Sequence, residues 1–150
     1  MKALELRLFS AADYDTWYPL WRGYQAFYRV DIADSVSRTT WQRLLDPSEP
    51  MQGCFAFAEG EAVGIVHYIE HRSCWTTGNY LYLQDLFVAA STRGRGVGRA
   101  LIEHVYGEAV ARGCARVYWL THETNREAMQ LYDRIADRSG FLQYRKLFGS

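Results

Sequence analysis

Between Ala89 and Ala100 the chain reads AASTRGRGVGRA, three glycines interleaved with three arginines. Glycine lets a backbone turn its amides inward and approach a ligand with no Cβ in the way, and Gly94, Gly96 and Gly98 are spaced for such a turn. Arg93, Arg95 and Arg99 add positive charge to the same stretch. Val97, Ala100, Leu101, Val105 and Ala109 recur at helical spacing and Gly113 closes the run, so the turn opens a helix. A helix N-terminus presents N–H groups without intrahelical partners and a partial positive charge, so an anion there is held by backbone and side chains together. The chemistry is that of holding phosphate. Spacing removes two common phosphate turns. A P-loop ends in Lys followed by Ser or Thr, where this chain has Gly98-Arg99-Ala100. A dinucleotide fingerprint needs G-x-G-x-x-G on an early strand, where this chain has G-x-G-x-G and several elements ahead of it.

The elements that must position this turn can be read in order. Leu4, Leu6 and Leu8 alternate with charged residues as in a strand with one buried face. Ser10 and Asp13 suggest a helix start. Trp17, Leu20, Trp21, Tyr24, Phe27 and Tyr28 then form an aromatic helix stripe, with Pro19 expected to kink or restart the helix. Such a stripe ordinarily serves the core, and its functional reading is that Tyr24 or Tyr28 lines a substrate pocket. A short helix is predicted from Thr40 to Leu45, followed by strands over Gly53 to Ala58 and Ala62 to Glu70 joined at Glu59-Gly60-Glu61 as an antiparallel hairpin. His71 to Asn79 reads as a polar loop. Tyr80 to Val88 is the central strand that runs into the turn. After the helix come a strand over Ala115 to Thr121, a helix opened by a Thr124–Glu127 capping box with Ala128, Leu131, Tyr132 and Ile135 on one face, and a closing strand over Phe141 to Phe148. Strands joined through a helix imply a right-handed parallel crossover beside the antiparallel hairpin, hence an α/β fold of α+β type with a mixed sheet.

Composition bounds the rest. The length of 150 residues and an apolar fraction of 49% suit one globular domain, residues 1–150. Seventeen basic and 17 acidic residues cancel, so the arginines are a local feature and neither nucleic acid nor a membrane surface is expected as partner. Cys54, Cys74 and Cys114 are odd in number with no C-x-x-C pair, which argues against a disulfide framework or a zinc site and for a reducing, cytoplasmic setting. No run approaches the ~18 apolar residues of a membrane span. His67 and His71 share a strand face but lack a third ligand, so no metal is expected.

The turn matches the acyl-CoA signature [Arg or Gln]-x-x-Gly-x-[Gly or Ala] at Arg93, Gly96 and Gly98, and Asn125-x-x-Ala128-x-x-x-Tyr132 matches a second motif. With the order of elements, these make nearly the whole chain resemble the GNAT superfamily of N-acetyltransferases. YLQDLFV, VYWLTHETNREAMQLYD and LWRGYQAFY are similar to a yeast-type subgroup whose members acetylate histone tails, polyamines or D-amino acids. The resemblance implies a mixed, largely antiparallel sheet of six to seven strands, about four helices and splayed parallel central strands. It also implies acetyl-CoA as the acyl donor and a small amine or a protein lysine as acceptor. The turn from Arg93 through Gly94, Arg95, Gly96, Val97 and Gly98 to Arg99 would hold the pyrophosphate of CoA. The exposed backbone of Leu86, Phe87 and Val88 would bond the pantetheine amides as an added strand does, and Asn125 would sit near the pantetheine arm, although Asn is also a preferred helix cap.

Acetyl transfer to an amine further needs a neutral nitrogen, an oxyanion donor and a proton for the thiolate. Tyr132, near the sulfur by the second motif, is the candidate acid, since a free tyrosine is protonated at neutral pH. The polyamine enzymes carry a glutamate where this chain has Gln84, which cannot serve as a base; Gln84, Tyr24 and Tyr28 are read as substrate-binding. Asp85 is the nearest carboxylate, but alternation puts it on the opposite face from Gln84, with Leu81, Leu83 and Phe87. A bulge could re-aim it toward the site; otherwise a water chain or His122 would serve. A non-catalytic acyl-CoA-binding regulatory module is the alternative, opposed by the presence of both Asn125 and Tyr132. The tyrosine- and tryptophan-rich composition and the subgroup are the grounds for expecting a homodimer.

Overall fold

The computed structural model describes residues 4–149. Five strands form one sheet in the order β1-β2-β3-β4-β5: β1 Glu5–Leu8, β2 Met51–Ala58, β3 Glu61–His71, β4 Tyr80–Val88 and β5 Arg116–Tyr118. The first three pairings are antiparallel and β4 with β5 is parallel, so the sheet is mixed and largely antiparallel as expected. Four helices accompany it: α1 Tyr14–Tyr28, α2 Asp34–Leu45, α3 Val97–Ala111 and α4 Arg126–Ile135. The chain divides into two compact units, one up to Leu120 and the other from Thr121.

In the first unit the two sheet faces carry different helices. Trp17, Leu20 and Trp21 of α1 and Trp41 and Leu44 of α2 bury against Phe55 of β2 and Ile65 of β3. On the other face, a Cβ placed on Gly64 would stand 3.1 Å from both Leu101 and Val97 of α3, so glycine is what lets that helix sit close to β3. Tyr68, one residue after His67, likewise meets His104 of α3, with 3.1 Å between phenol and ring nitrogen. The β2–β3 turn is built on left-handed Glu59 and Gly60, with φ of 52° and 81°, the geometry a two-residue hairpin requires.

Several expectations are corrected. Among the described residues the sheet has five strands, not six or seven, and no strand forms over Phe141 to Phe148. A strand needs a neighbour for its backbone groups, and the unit from Thr121 contains one regular element, α4. The strand expected over Ala115 to Thr121 shortens to Arg116–Tyr118. Leu6 and Leu8 of β1 are exposed, at 37% and 59%, because β1 is an edge strand and its face toward β2's rings is filled by Arg7, whose guanidinium lies 4.3 Å from the Phe57 ring centre. Helix α1 runs unbroken through Pro19, and α2 begins at Asp34, six residues before Thr40. The Thr124–Glu127 box does not form: the Thr124 hydroxyl bonds His122 Nδ1 at 2.7 Å, and Asn125 is the residue that precedes α4.

All three cysteines are free. Burial pushes the Cys54 thiol up to about 11, whereas Cys74 is exposed. Only the thiolate attacks a disulfide reagent, and a buried thiol is both harder to ionise and out of the reagent's reach. At pH 8, Cys74 should therefore react first with a chromogenic disulfide, and Cys54 at a rate roughly 100-fold lower or less until the protein is unfolded. Stopped-flow absorbance with single-cysteine variants measures this directly.

Candidate active site

The central strand is irregular where the chemistry is expected. In the β3–β4 ladder His67 pairs with Asp85 and Tyr68 with Leu83, so Gln84 is an extra residue on β4. Two residues facing one is a β-bulge, and it reverses the alternation beyond it. Leu81 and Leu83 pair with Glu70 and Tyr68 on the α3 face, while Asp85 turns toward His67 and α1. Phe87 goes with it and would meet a Cβ on Gly23 of α1 at 2.6 Å. The simple alternation that grouped Asp85 with Leu81 and Leu83 is thus overturned, and the bulge re-aims the carboxylate. Gln84 itself is exposed.

Asp85 is 8% exposed and His67 is 3% exposed. Their side chains meet at 2.9 Å between Oδ2 and Nδ1, and the indole Nε1 of Trp17 donates to His67 Nε2, also at 2.9 Å. Three tyrosines face the carboxylate. Burial raises the Tyr24 phenol well above its ordinary range, and the charge of Asp85 and a hydrogen bond to it add to the effect. Tyr28 is raised by burial and then by Asp85, and Tyr82 by burial, Asp85 and Tyr118 in that order. All three stay neutral where enzymes are ordinarily assayed. Their rings continue an aromatic wall: Trp21 stacks on Tyr24 at 5.1 Å, Tyr24 contacts Tyr28 at 4.9 Å, and Tyr82 stacks on Tyr118 at 4.8 Å between ring centres. The structure therefore brings Tyr24, Tyr28 and Asp85 together. It adds His67, Trp17 and Tyr82, which by sequence pattern alone are an ordinary histidine, a core aromatic and a strand residue. The one signal available for His67 was its place on a strand beside the central one.

The strand end is open. Pairing between β4 and β5 covers Tyr80–Arg116, Leu81–Val117 and Tyr82–Tyr118, so from Leu83 the edge of β4 away from β3 has no neighbouring strand among the described residues. Leu86, Phe87 and Val88 lie on that edge. The Val88 carbonyl accepts from Arg93 Nε at 3.0 Å, and the Arg93 guanidinium lies 5.4 Å from the Phe27 ring centre and 5.8 Å from that of Phe87. Arg93 thus ties the turn to the strand with one nitrogen and keeps its terminal nitrogens for other partners.

The turn beyond has the form a diphosphate requires. Gly94 and Gly96 are left-handed, with φ of 80° and 82°, and Gly96 precedes α3. The first bond of the helix runs from the Ala100 N–H to the Gly96 carbonyl at 3.0 Å, so the N–H groups of Val97, Gly98 and Arg99 come before any intrahelical acceptor. A Cβ on either left-handed glycine would meet nothing within 4 Å, which leaves the cradle open to a ligand. Val97 is 1% exposed, so it offers only its backbone to the turn. Arg95 is exposed, and Arg99 is exposed with Glu103 at 2.9 Å. These donors and charges fit the pyrophosphate of CoA.

In the unit from Thr121, Asn125 and Tyr132 are seven residues apart, which places them on one face of α4. Asn125 makes no side-chain cap; its Nδ2 donates to Thr121 Oγ1 at 3.3 Å. Of the remaining histidines, His71 bonds the Arg72 carbonyl and the Tyr118 hydroxyl, both at 2.7 Å.

A central strand whose outer edge is unpaired beyond Tyr82 and that ends at a glycine turn suited to an anion is the arrangement of acyltransferases that use a CoA thioester. A family model described as the acetyltransferase (GNAT) family matches residues 15–136. The chain belongs to that family and is an N-acetyltransferase. It is 36% identical over 136 residues to a D-amino-acid N-acetyltransferase of Saccharomyces cerevisiae, covering 89% of this chain and 84% of the relative, in keeping with the yeast-type subgroup. A thialysine N-epsilon-acetyltransferase of Bos taurus is 30% identical over 113 residues, 75% of this chain and 57% of the relative. Among solved structures, the aminoglycoside acetyltransferase AAC(6')-Iy, in complex with a bisubstrate analogue of CoA, superposes with a TM-score of 0.83 at 19% identity, covering 98% of this chain and 100% of that one. At that identity the likeness shows the fold.

Proposed function

We propose that the protein transfers an acetyl group from acetyl-CoA to the primary amine of a small molecule, by direct attack in a ternary complex, with Asp85 as the general base. The bulge at Gln84 carries this reading, because it delivers a buried carboxylate to the aromatic-walled side of the strand whose free edge and following turn suit CoA. Bound there, acetyl-CoA supplies an activated thioester carbonyl. Gly94 to Arg99 hold its pyrophosphate, and Leu86 to Val88 hold its pantetheine arm through backbone bonds. Tyr24, Tyr28 and Tyr82 shape an acceptor pocket whose π faces and single carboxylate favour an ammonium group.

Asp85 receives the proton from the amine. A free carboxylate is a weak acceptor from an ammonium that ionises near ~10, so the bound ammonium first loses one proton to water and the neutral amine, with its lone pair free, is the species that attacks. As the N–C bond forms, however, the nitrogen becomes positive and its remaining hydrogens far more acidic, so a carboxylate is basic enough when transfer accompanies attack. Tyr132 takes the acid role on the strength of its motif and gives its phenolic proton to the departing sulfur. Tyr132→Phe should lower kcat about 100-fold or more without weakening acetyl-CoA binding, as seen by pairing turnover with calorimetry; unchanged turnover would remove the assignment.

The names of the relatives favour amino acids and short amines over histone lysines as acceptors. A panel of D- and L-amino acids, thialysine, polyamines and a lysine peptide, with free CoA release as the readout, tests enzyme and acceptor together. Binding of acetyl-CoA with no turnover on any amine would return the protein to the regulatory-module reading. The homodimer belongs to the same proposal, and sedimentation velocity decides it.

A further inference from the structure

The proton arrangement around His67 follows from its two neighbours. An indole N–H can only donate, so His67 Nε2, 2.9 Å from Trp17 Nε1, must be the acceptor nitrogen. A neutral imidazole has one acceptor and one donor, so the proton lies on Nδ1 and points at Asp85 Oδ2, 2.9 Å away. Adding a second proton at Nε2 would set two N–H groups head to head. The ring has no other position to take, since Phe9, Trp17 and Trp21 surround it at 5.9, 6.0 and 5.2 Å between ring centres.

From this geometry we infer that His67 is a positioning residue for the acetyl transfer, locked by Trp17 as the Nδ1–H tautomer so that it orients the Asp85 carboxylate and cannot compete with it for the substrate's proton. The inference rests on Asp85 being the base. One Asp85 oxygen is committed to His67, the Tyr24 hydroxyl faces the same carboxylate, and the remaining lone pairs are left for the amine. The lock also keeps a positive charge away from the base. An imidazolium beside Asp85 would lower the carboxylate's proton affinity, and the indole N–H prevents that form. The titratable groups facing the dyad are Tyr24 and Tyr28 from α1 and Tyr82 from β4 itself, all held neutral, while β2 and α2 contribute Phe55 and Trp41 to the surrounding core.

Nitrogen-15 NMR of the wild-type enzyme reads the tautomer without any substitution. His67 should show a protonated Nδ1 and an unprotonated Nε2 at neutral pH; the opposite tautomer or a doubly protonated ring there overturns the lock. The link to catalysis is read from pH profiles of kcat/KM for the amine. His67→Leu removes the donor and should lower kcat/KM about 10- to 100-fold, the worth of a hydrogen bond to a charged group. His67→Asn keeps an N–H near the Nδ1 position and should recover most of that loss. Equal losses in the two variants would mean packing alone, and no loss in either would mean no role; both results overturn the inference. Trp17→Phe frees Nε2 for protonation, so the acid limb of the profile should move to lower pH, and an unmoved limb counts against the lock. Full activity in Asp85→Asn would instead sink the base assignment, which separates failure of that reading from failure of this one.

Discussion

Asp85→Asn is expected to lower kcat by about 100- to 10,000-fold, the range ordinarily supplied by a positioned acid or base. The substitution is nearly isosteric, and the asparagine Oδ1 can still accept from His67 Nδ1, 2.9 Å from the present Oδ2. The buried polar cluster therefore keeps its partners, and the loss falls on basicity rather than on folding. Two further readouts follow. KM for acetyl-CoA should stay within about threefold, because the proposed pyrophosphate and pantetheine contacts lie at a turn and a strand edge that the substitution does not touch. The acid limb of kcat/KM should flatten, since that limb reports the ionisation of the free enzyme's base. An Asp85→Asn enzyme that keeps both its rate and its limb would transfer the role to His122 or to a water chain.

This expectation depends on a feature that no residue pattern could deliver. Leu81, Leu83, Asp85 and Phe87 alternate without a break, and a strict period of two puts all four on one face. One unpaired residue at Gln84 divides them, and the division comes from the pairing with β3, a long-range contact. Local elements were more legible. The aromatic stripe of α1, the turn at Glu59-Gly60 and the glycine turn that opens α3 each rest on side-chain periodicity or on a backbone conformation that few residues adopt, and each is found where the spacing put it. Failures occurred where burial depends on a partner. Leu6 and Leu8 have strand alternation but lie on an edge, and Phe141 to Phe148 has strand-forming residues but no strand. His67 was hidden for a similar reason: its meaning comes from Trp17, 50 residues earlier, and Asp85, 18 residues later.

The second large effect concerns the donor side. Gly94→Ala/Gly96→Ala places two ordinary residues in the left-handed region, which costs about 1–2 kcal/mol for each. Neither new methyl meets an atom within 4 Å, so no core packing is disturbed and the strain is purely conformational. A loop under such strain relieves it by leaving the left-handed conformation, which turns its N–H groups away from the proposed pyrophosphate site before it threatens the sheet. Since tenfold in affinity corresponds to ~1.4 kcal/mol, the double variant should raise KM for acetyl-CoA roughly 30- to 800-fold. KM for the amine and the thermal midpoint should change little, because the acceptor pocket and the core are built from other elements. Steady-state kinetics with each substrate varied in turn, alongside thermal melts, resolves the three quantities. A matching loss of thermal stability with no selective rise in the acetyl-CoA constant would make these glycines a requirement of the fold and not of the cradle. The selective rise would tie the left-handed turn to binding of acetyl-CoA and leave recognition of the amine to the separate cluster around Asp85.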